Sequence, residues 1–205
     1  EYFHDNKLLV INQINLIEQS KDINELPKVG VISKISHKME LPNGNIRITL
    51  TGLSRAYVNE YLNVSKDFNN LESIVSEISE IMPDITEEPI LLKKVYNDFQ
   101  KHIKIVPYIT NSILSTLVNV KNLSKMTDIV ANQVAQTNER LNEYLMQFDI
   151  SERAEMVLKD MYEQQEMYRL EKNIEQKVKK SIDNNQKEYF LREKIKIIKE
   201  ELGDI

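Results

Sequence analysis

The sequence predicts an α+β chain, in which a small β-rich unit is followed by a bundle of short helices and then by one long C-terminal helix. Three observations predict it. Three of the four glycines lie before residue 53, all five prolines lie at or before Pro107, and Tyr108 to Leu202 contains neither. Because glycine and proline are the main breakers of helices, strands and turns belong to the first part and helices to the rest. The apolar residues also change period across Met82–Pro89, from two before it to the helical spacing after it. Finally, the helical pattern that begins at Ser151 meets no breaker until Gly203.

The strands come first. Leu8-Leu9-Val10-Ile11 is a short apolar run suited to a strand. Val29, Val31, Ile35, Met39 and Leu41 share one parity, as do Ile46, Ile48 and Leu50, which is the pattern of half-buried strands. Between the two sets lies Pro42-Asn43-Gly44-Asn45. Asn-Gly accepts the positive φ angles of a tight hairpin turn, so Val29–Leu41 and Ile46–Thr51 are expected to pair antiparallel. Leu71–Ile81 is a third candidate, with Ile74 and Ile78 on one face. These segments predict a partly open barrel within residues 1–82, with a modest core.

Residues 83–89 read as a polar linker carrying two prolines, Pro83 and Pro89. Thr86, Glu87 and Glu88 mark a helix start, since carboxylates complement the positive end of a helix. Leu91, Leu92, Val95, Tyr96 and Phe99 follow at helical spacing. Pro107 breaks this pattern and is expected to open a second helix through Ile113, Leu114 and Leu117. A third is expected from Leu123, and a fourth from Thr137 through Tyr144, Leu145 and Phe148. Residues 90–150 should thus form a compact bundle.

Residues 151–205 form the last unit, with Ser151 as the expected N-cap. It holds 12 Lys/Arg and 13 Asp/Glu, a mixed-charge, solvent-facing pattern. Its apolar stripe is broad at Ala154, Val157, Leu158, Met161 and Tyr162, thin along Leu170, Ile174, Val178 and Ile182, and renewed at Leu191, Ile195, Ile198 and Leu202. The first half should pack on the bundle. A bend or frayed point is expected at Asp183-Asn184-Asn185, all poor helix formers.

Several function classes are excluded or disfavoured. With no cysteine, there is no disulfide framework, zinc-thiolate site or cysteine nucleophile, which fits a reducing compartment such as the cytosol. The net charge of −5, with 8 Lys/Arg against 12 Asp/Glu over residues 1–84, argues against a nucleic-acid-binding face. The short basic cluster Lys177, Lys179 and Lys180 has acids on both sides. No apolar run approaches the roughly 20 residues of a membrane span. No glycine-rich loop could cradle a phosphate. His4, His37 and His102 lie far apart in sequence and read as ordinary surface or boundary residues. No serine is marked by a neighbouring base as a nucleophile. No catalytic, cofactor-binding or metal-ligating residue is therefore expected. One feature is unabsorbed: Met156, Met161, Tyr162, Met167 and Tyr168 lie within thirteen residues. They either pack on the bundle or form an adaptable apolar surface, because thioethers re-pack easily.

Three segments in order resemble a known family. Val29-Gly30-Val31-Ile32-Ser33-Lys34-Ile35, then Leu41-Pro42-Asn43-Gly44, then Gly52-Leu53-Ser54-Arg55-Ala56 are similar to the N-terminal domain of Lon ATP-dependent proteases. Gln186 to Ile195 and Lys199 to Gly203 resemble the helix that leads into the ATPase module of bacterial Lon, and Leu170–Ile174 with Val178-Lys179 fit the same helix. The resemblance implies a PUA-like β unit, a helical bundle and a long helix, in a region that recognises unfolded or damaged protein substrates and helps assemble a cytoplasmic homohexamer. It implies ATP and Mg for the parent enzyme and neither for this stretch. The Walker motifs and the Ser-Lys dyad map onto no residue here. The absence of an initiating methionine and the abrupt end predict a piece of a longer chain, starting after the family's first strand.

The resemblance leaves three roles. One is substrate recognition, with Met156, Met161, Tyr162, Met167 and Tyr168 as the protein-binding surface. The second is a structural inter-subunit spacer, with Leu191, Ile195, Ile198 and Leu202 as an inter-domain or self-association stripe. The third, disfavoured by charge, is nucleic-acid binding by the PUA-like unit.

Overall fold

The computed structural model describes residues 6–12, 23, 26–62 and 71–203; His4 lies outside them. Strands β1 (Lys7–Val10), β2 (Val29–Glu40), β3 (Ile46–Leu62) and β4 (Glu72–Glu77) form one antiparallel sheet in the order β1-β2-β3-β4. The expected α+β class is found, with the sheet preceding the helices.

The expected hairpin is present, with Glu40 opposite Ile46 and Val29 opposite Tyr57. Its turn differs in detail. The Gly44 amide donates to the Leu41 carbonyl at 2.9 Å, and the Asn43 side chain accepts from the Asn45 amide at 3.1 Å. Gly44 has φ +80°, whereas Asn43 does not take a positive φ. This is the longer hairpin form, with proline at the first corner of the turn and a left-handed glycine after it.

Strand β3 is much longer than expected. It continues through the Gly52–Ala56 segment to Leu62 and pairs with β2 on one side and β4 on the other. Register shifts at Ile32/Ser33, Ile35/His37 and Val58/Glu60 break the period of two, since each bulge turns the following side chains to the other face. Val29 and Ile32, ahead of the first shift, are both buried despite opposite parity, as are Ala56, Val58 and Tyr61 of β3. Met39, Ile46, Ile48 and Leu50, expected to be half-buried, are exposed on the far half of the hairpin. Ile74 of β4 is exposed too.

The helices are α1 (Glu88–Ile105), α2 (Ile113–Leu117), α3 (Leu123–Val134), α4 (Asn138–Met146) and α5 (Ile150–Leu202). Pro89 sits in the first turn of α1, where its missing amide costs nothing. Pro107 ends α1 but does not open a helix; turns follow and α2 starts only at Ile113. Asn122 caps α3 through the Lys125 amide at 2.9 Å, and Thr137 caps α4 through the Arg140 amide at 3.1 Å. Asp149, not Ser151, caps α5: its carboxylate accepts from the Ser151 and Glu152 amides at 2.9 and 3.1 Å. Ser151 lies inside the first turn.

Val95, Phe99, Leu117, Leu123, Val130, Ile150, Ala154 and Val157 make a fully buried core between α1, α3 and the first part of α5. The remainder of α5 leaves the bundle. From residue 169 to 203 every residue except Glu193 is exposed. The helix spans 53 residues without interruption, roughly 80 Å. It continues as helix through Asp183–Asn185, so the expected fraying is not found. Three poor formers cost only tenths of a kcal/mol each, too little to break a helix extended on both sides. Gly203 ends it in the left-handed conformation.

Candidate functional site

The sheet meets the bundle through a network of charges. Arg55, the arginine of the Gly-Leu-Ser-Arg-Ala segment on β3, donates to Glu80 at 2.7 Å, to Asp128 of α3 at 2.7 Å and to the Leu145 carbonyl at 3.0 Å. Arg153 of α5 is fully buried. It donates to Glu80 at 2.8 Å, the Ser124 hydroxyl at 2.9 Å, the Thr127 hydroxyl at 3.1 Å and the Gln147 carbonyl at 2.9 Å. Glu80 thus stands between two guanidinium groups. Burial alone would raise its pKa, but the hydrogen bonds from Ser124 and Arg153 and the charges of Arg153 and Arg55 outweigh it and hold the carboxyl below its ordinary value. Next to Glu80, the Ile81 amide donates to Phe148 and the Ile81 carbonyl accepts from Ile150, at 2.9 and 3.1 Å. The chain leaving β4 is therefore pinned to the bundle just before α1.

Above this network lies a cleft of about 770 Å3. Leu53, Ile78 and Met82 line it on the sheet side, and Ala131, Leu141, Tyr144 and Leu145 on the helical side. Leu53 is 51 % exposed and Met82 51 % exposed, large apolar side chains standing open at the mouth of a concave site. Polar groups converge at its base: Arg55, Glu80, Ser124 and Asp128. An apolar wall with a few fixed polar groups is the usual make-up of a binding site.

Tyr144 connects this cleft to a second concavity. Its hydroxyl donates to Asp160, which also accepts from Arg140 Nε at 2.7 Å and Nη2 at 2.8 Å. Burial and the Asp160 carboxylate push the Tyr144 phenol far above its ordinary value. Arg140 and Asp160 line a groove of about 390 Å3 where α5 leaves the bundle.

The five methionines and tyrosines of the expected surface separate. Met161 is 1 % exposed and belongs to the bundle core, and Met156 packs half-buried against it. The spacing of Met161 with Ala154, Val157 and Leu158 was the signal of a core face. Tyr162 is 64 % exposed and Met167 is 59 % exposed. Only Met167 and half-buried Tyr168 line the groove. Leu191, Ile195, Ile198 and Leu202 are all exposed along the free part of α5.

His102, read in sequence as a surface or boundary residue, is fully buried. Its ring stacks on Phe99 with centroids 6.3 Å apart, Gln165 Nε2 lies 3.3 Å from Nδ1, and among the described residues Nε2 has no hydrogen-bond partner. Burial holds its pKa below the ordinary value. His37 is exposed on β2. Among the described residues no group of three His, Asp or Glu side chains converges to hold a metal, and no helix is long and apolar enough to cross a membrane. Sequence reasoning missed Leu53, Met82 and the Glu80 network, because the partners are 73 residues apart for Arg55–Asp128 and for Glu80–Arg153. The available signal was a lone arginine between small residues in a strand.

Known proteins agree with this architecture. The chain is 30 % identical over 201 residues to Lon protease 1 of Bacillus subtilis, covering 98 % of this chain and 26 % of that protein. It is 31 % identical over 205 residues to the Lon protease of Buchnera aphidicola subsp. Schizaphis graminum, covering 98 % and 26 %. The chain thus spans about a quarter of the length of these relatives. Among solved structures it shares its fold with the N-terminal domain of a Mycobacterium avium complex Lon protease, at a TM-score of 0.58 and 16 % identity over 76 % of this chain and 77 % of that one. The family model described as the ATP-dependent protease La (LON) substrate-binding domain matches residues 3–162, a span that holds the sheet, the bundle, the cleft and the start of α5. The chain belongs to the family of Lon substrate-binding domains.

Proposed function

We propose that this chain is the substrate-recognition region of an ATP-dependent serine protease and that it takes up exposed apolar segments of unfolded proteins in the cleft between sheet and bundle. The observation that carries this reading is the pair Leu53 and Met82, half exposed on the sheet side of a concave site whose base is fixed by hydrogen-bonded charges. An unfolded chain offers large apolar side chains and unpaired backbone amides; the cleft offers apolar walls for the first and acceptors for the second. Met82 suits varied sequences, because a thioether adapts to differently shaped neighbours. Chemistry is assigned elsewhere in the parent enzyme: ATP with Mg to its ATPase module and peptide hydrolysis to a Ser-Lys dyad, with the assembled hexamer working in the cytoplasm.

The test is binding of a permanently unfolded, reduced and alkylated protein to the 205-residue chain, followed by fluorescence anisotropy. Leu53→Asp with Met82→Asp should weaken binding at least about tenfold, since each change removes apolar contact. The thermal unfolding midpoint should stay near that of the parent chain because both side chains stand half in solvent. Unchanged affinity in the folded double variant would remove the cleft from substrate binding.

The free part of α5 favours a second role beside the first. A helix with Leu191, Ile195, Ile198 and Leu202 on one stripe and no cover from residue 169 onward is suited to space neighbouring subunits. Ile195→Asp with Ile198→Asp should abolish concentration-dependent association in sedimentation equilibrium if that stripe joins copies. Equal association of the two proteins would sink the stripe.

A further inference from the structure

We propose that the groove where α5 leaves the bundle is a second recognition pocket, which takes the side chain of a lysine or arginine from an unfolded segment. The inference rests on the substrate-binding reading above and gives it a chemical preference that an apolar cleft alone lacks. The groove has a buried floor at Val106, walls of Tyr108, Tyr168 and Met167, and a rim bearing Glu163 and Glu171. Its volume of about 390 Å3 lies at the small end of ligand sites, enough to admit a long side chain but not a folded surface.

The charge of the groove is one-sided. Its charged lining residues are Asp160, Glu163, Glu171 and Arg140. Arg140 is already engaged: Nε and Nη2 bind Asp160, Nη1 binds Glu143, and the guanidinium lies over the Tyr144 ring at 5.0 Å. Asp160 is likewise engaged by Arg140 and Tyr144. The two cancel, leaving Glu163 and Glu171 to set the field. Among the described residues Glu163 has only Lys159, at 3.8 Å across an exposed helical pair, and such a pair holds its partner weakly.

The walls favour the same ligand. Tyr108 and Tyr168 supply aromatic rings, whose faces attract cations, and Val106 and Met167 supply apolar surface that suits the methylene stem lysine and arginine carry behind the charge. Lys172 Nζ already lies 4.9 Å from the centroid of the Tyr168 ring, so a ligand cation takes the place of an internal one on that ring. An aromatic ligand could use these walls, but it would cover Glu163 and Glu171 without giving them a partner, and burying a carboxylate unpaired is costly. An acidic ligand would be repelled.

The experiment uses the 205-residue chain and three fluorescein-labelled unstructured peptides that differ only at a central lysine, norleucine or phenylalanine. Norleucine keeps the stem and removes the charge. The lysine peptide should bind about tenfold tighter than the norleucine peptide at low salt. Glu163→Gln with Glu171→Gln should abolish that difference while leaving the norleucine affinity unchanged, and the Met167 methyl and Tyr168 ring resonances should move on titration with the lysine peptide. Equal binding of lysine and norleucine peptides, tightest binding of the phenylalanine peptide, or a lysine preference that survives the double variant would overturn the pocket. If no peptide binds but unfolded protein still binds through Leu53 and Met82, the pocket fails alone. If neither binds, the substrate-binding reading fails with it.

Discussion

Arg153 Nη2 on α5 lies 2.8 Å from Glu80 Oε1 on the segment that leaves the sheet, with the arginine side chain wholly buried and the glutamate 23 % exposed. This ion pair, together with Arg55–Asp128, ties the sheet to the bundle at the base of the cleft. Arg153→Met keeps the stem of the side chain but takes from Glu80 one of its two guanidinium partners, Arg55 remaining at 2.7 Å, and removes the donor to the Gln147 carbonyl and the Thr127 hydroxyl. It should destabilise the chain by about 1–3 kcal/mol, read as a lower urea midpoint at unchanged slope. Lys159→Met, at an exposed pair on the same helix, should shift the midpoint by no more than about 0.5 kcal/mol.

Acid should weaken the fold in two steps of known sign. His102 is buried and its folded pKa lies below the ordinary 6.5. The unfolded chain then binds the proton more readily, so this contribution is full above 6.5 and is lost as the pH falls below it toward the folded value. Glu80 has a folded pKa below the ordinary 4.5. Its contribution is full above 4.5 and is lost as the pH falls through the folded value. Urea midpoints measured from pH 7.5 to 3.5 should therefore decline first below 6.5. In His102→Leu, which supplies a similar volume against Phe99 without a titrating ring, the first decline should disappear and the second remain. A first decline of equal size in that variant would assign it to another group.

Much of this architecture could be read from residues whose effect is local. Pro42-Asn43-Gly44 placed the hairpin, Pro107 ended α1, and the glycine-free stretch before Gly203 gave the whole of α5, because each acts through its own backbone. Failures came where distant residues decide. A bulge at Ser36 resets which side chains of β2 face inward, one at Leu53 does the same for β3, and among the described residues no layer covers the aliphatic period from Ile46 to Leu50. Met161 and Tyr162 are neighbours in sequence, yet one is core and the other solvent, since only helical phase relative to the bundle separates them. The cleft was illegible for the same reason: Leu53 and Leu141 line it from two units, and no local pattern brings them together.

Gly30 has a purely steric role that substitution should expose. A Cβ on Gly30 would stand 2.7 Å from the Val10 carbonyl oxygen and 3.0 Å from side-chain carbons of Leu9 and Ile11. The nearest obstacle is backbone, which cannot rotate away, so β1 would have to move off β2. Gly30→Ala should cost about 1–3 kcal/mol, the range of an overpacked site. Hydrogen exchange should quicken at the amides of β1 and β2 while those of α3 stay protected. Uniform quickening across sheet and bundle would instead mean that the two unfold as one.

The N-terminus of α5 offers a sharper contrast, because sequence and structure name different residues. Asp149 has extended backbone angles and its carboxylate binds two otherwise unpaired amides, those of Ser151 and Glu152. Its negative charge also meets the positive end of a 53-residue helix. Ser151 lies within the first turn, where its hydroxyl caps nothing. Asp149→Ala should therefore destabilise by about 1 kcal/mol, and Asp149→Asn by less, since the amide oxygen still accepts. Ser151→Ala should be neutral or slightly stabilising, because alanine is the better helix former. The comparison is made by urea unfolding followed at the far-ultraviolet helical band. A larger loss in Ser151→Ala than in Asp149→Ala would move the cap back to the serine and shorten α5 at its buried end, the end that carries Arg153 into the charge network.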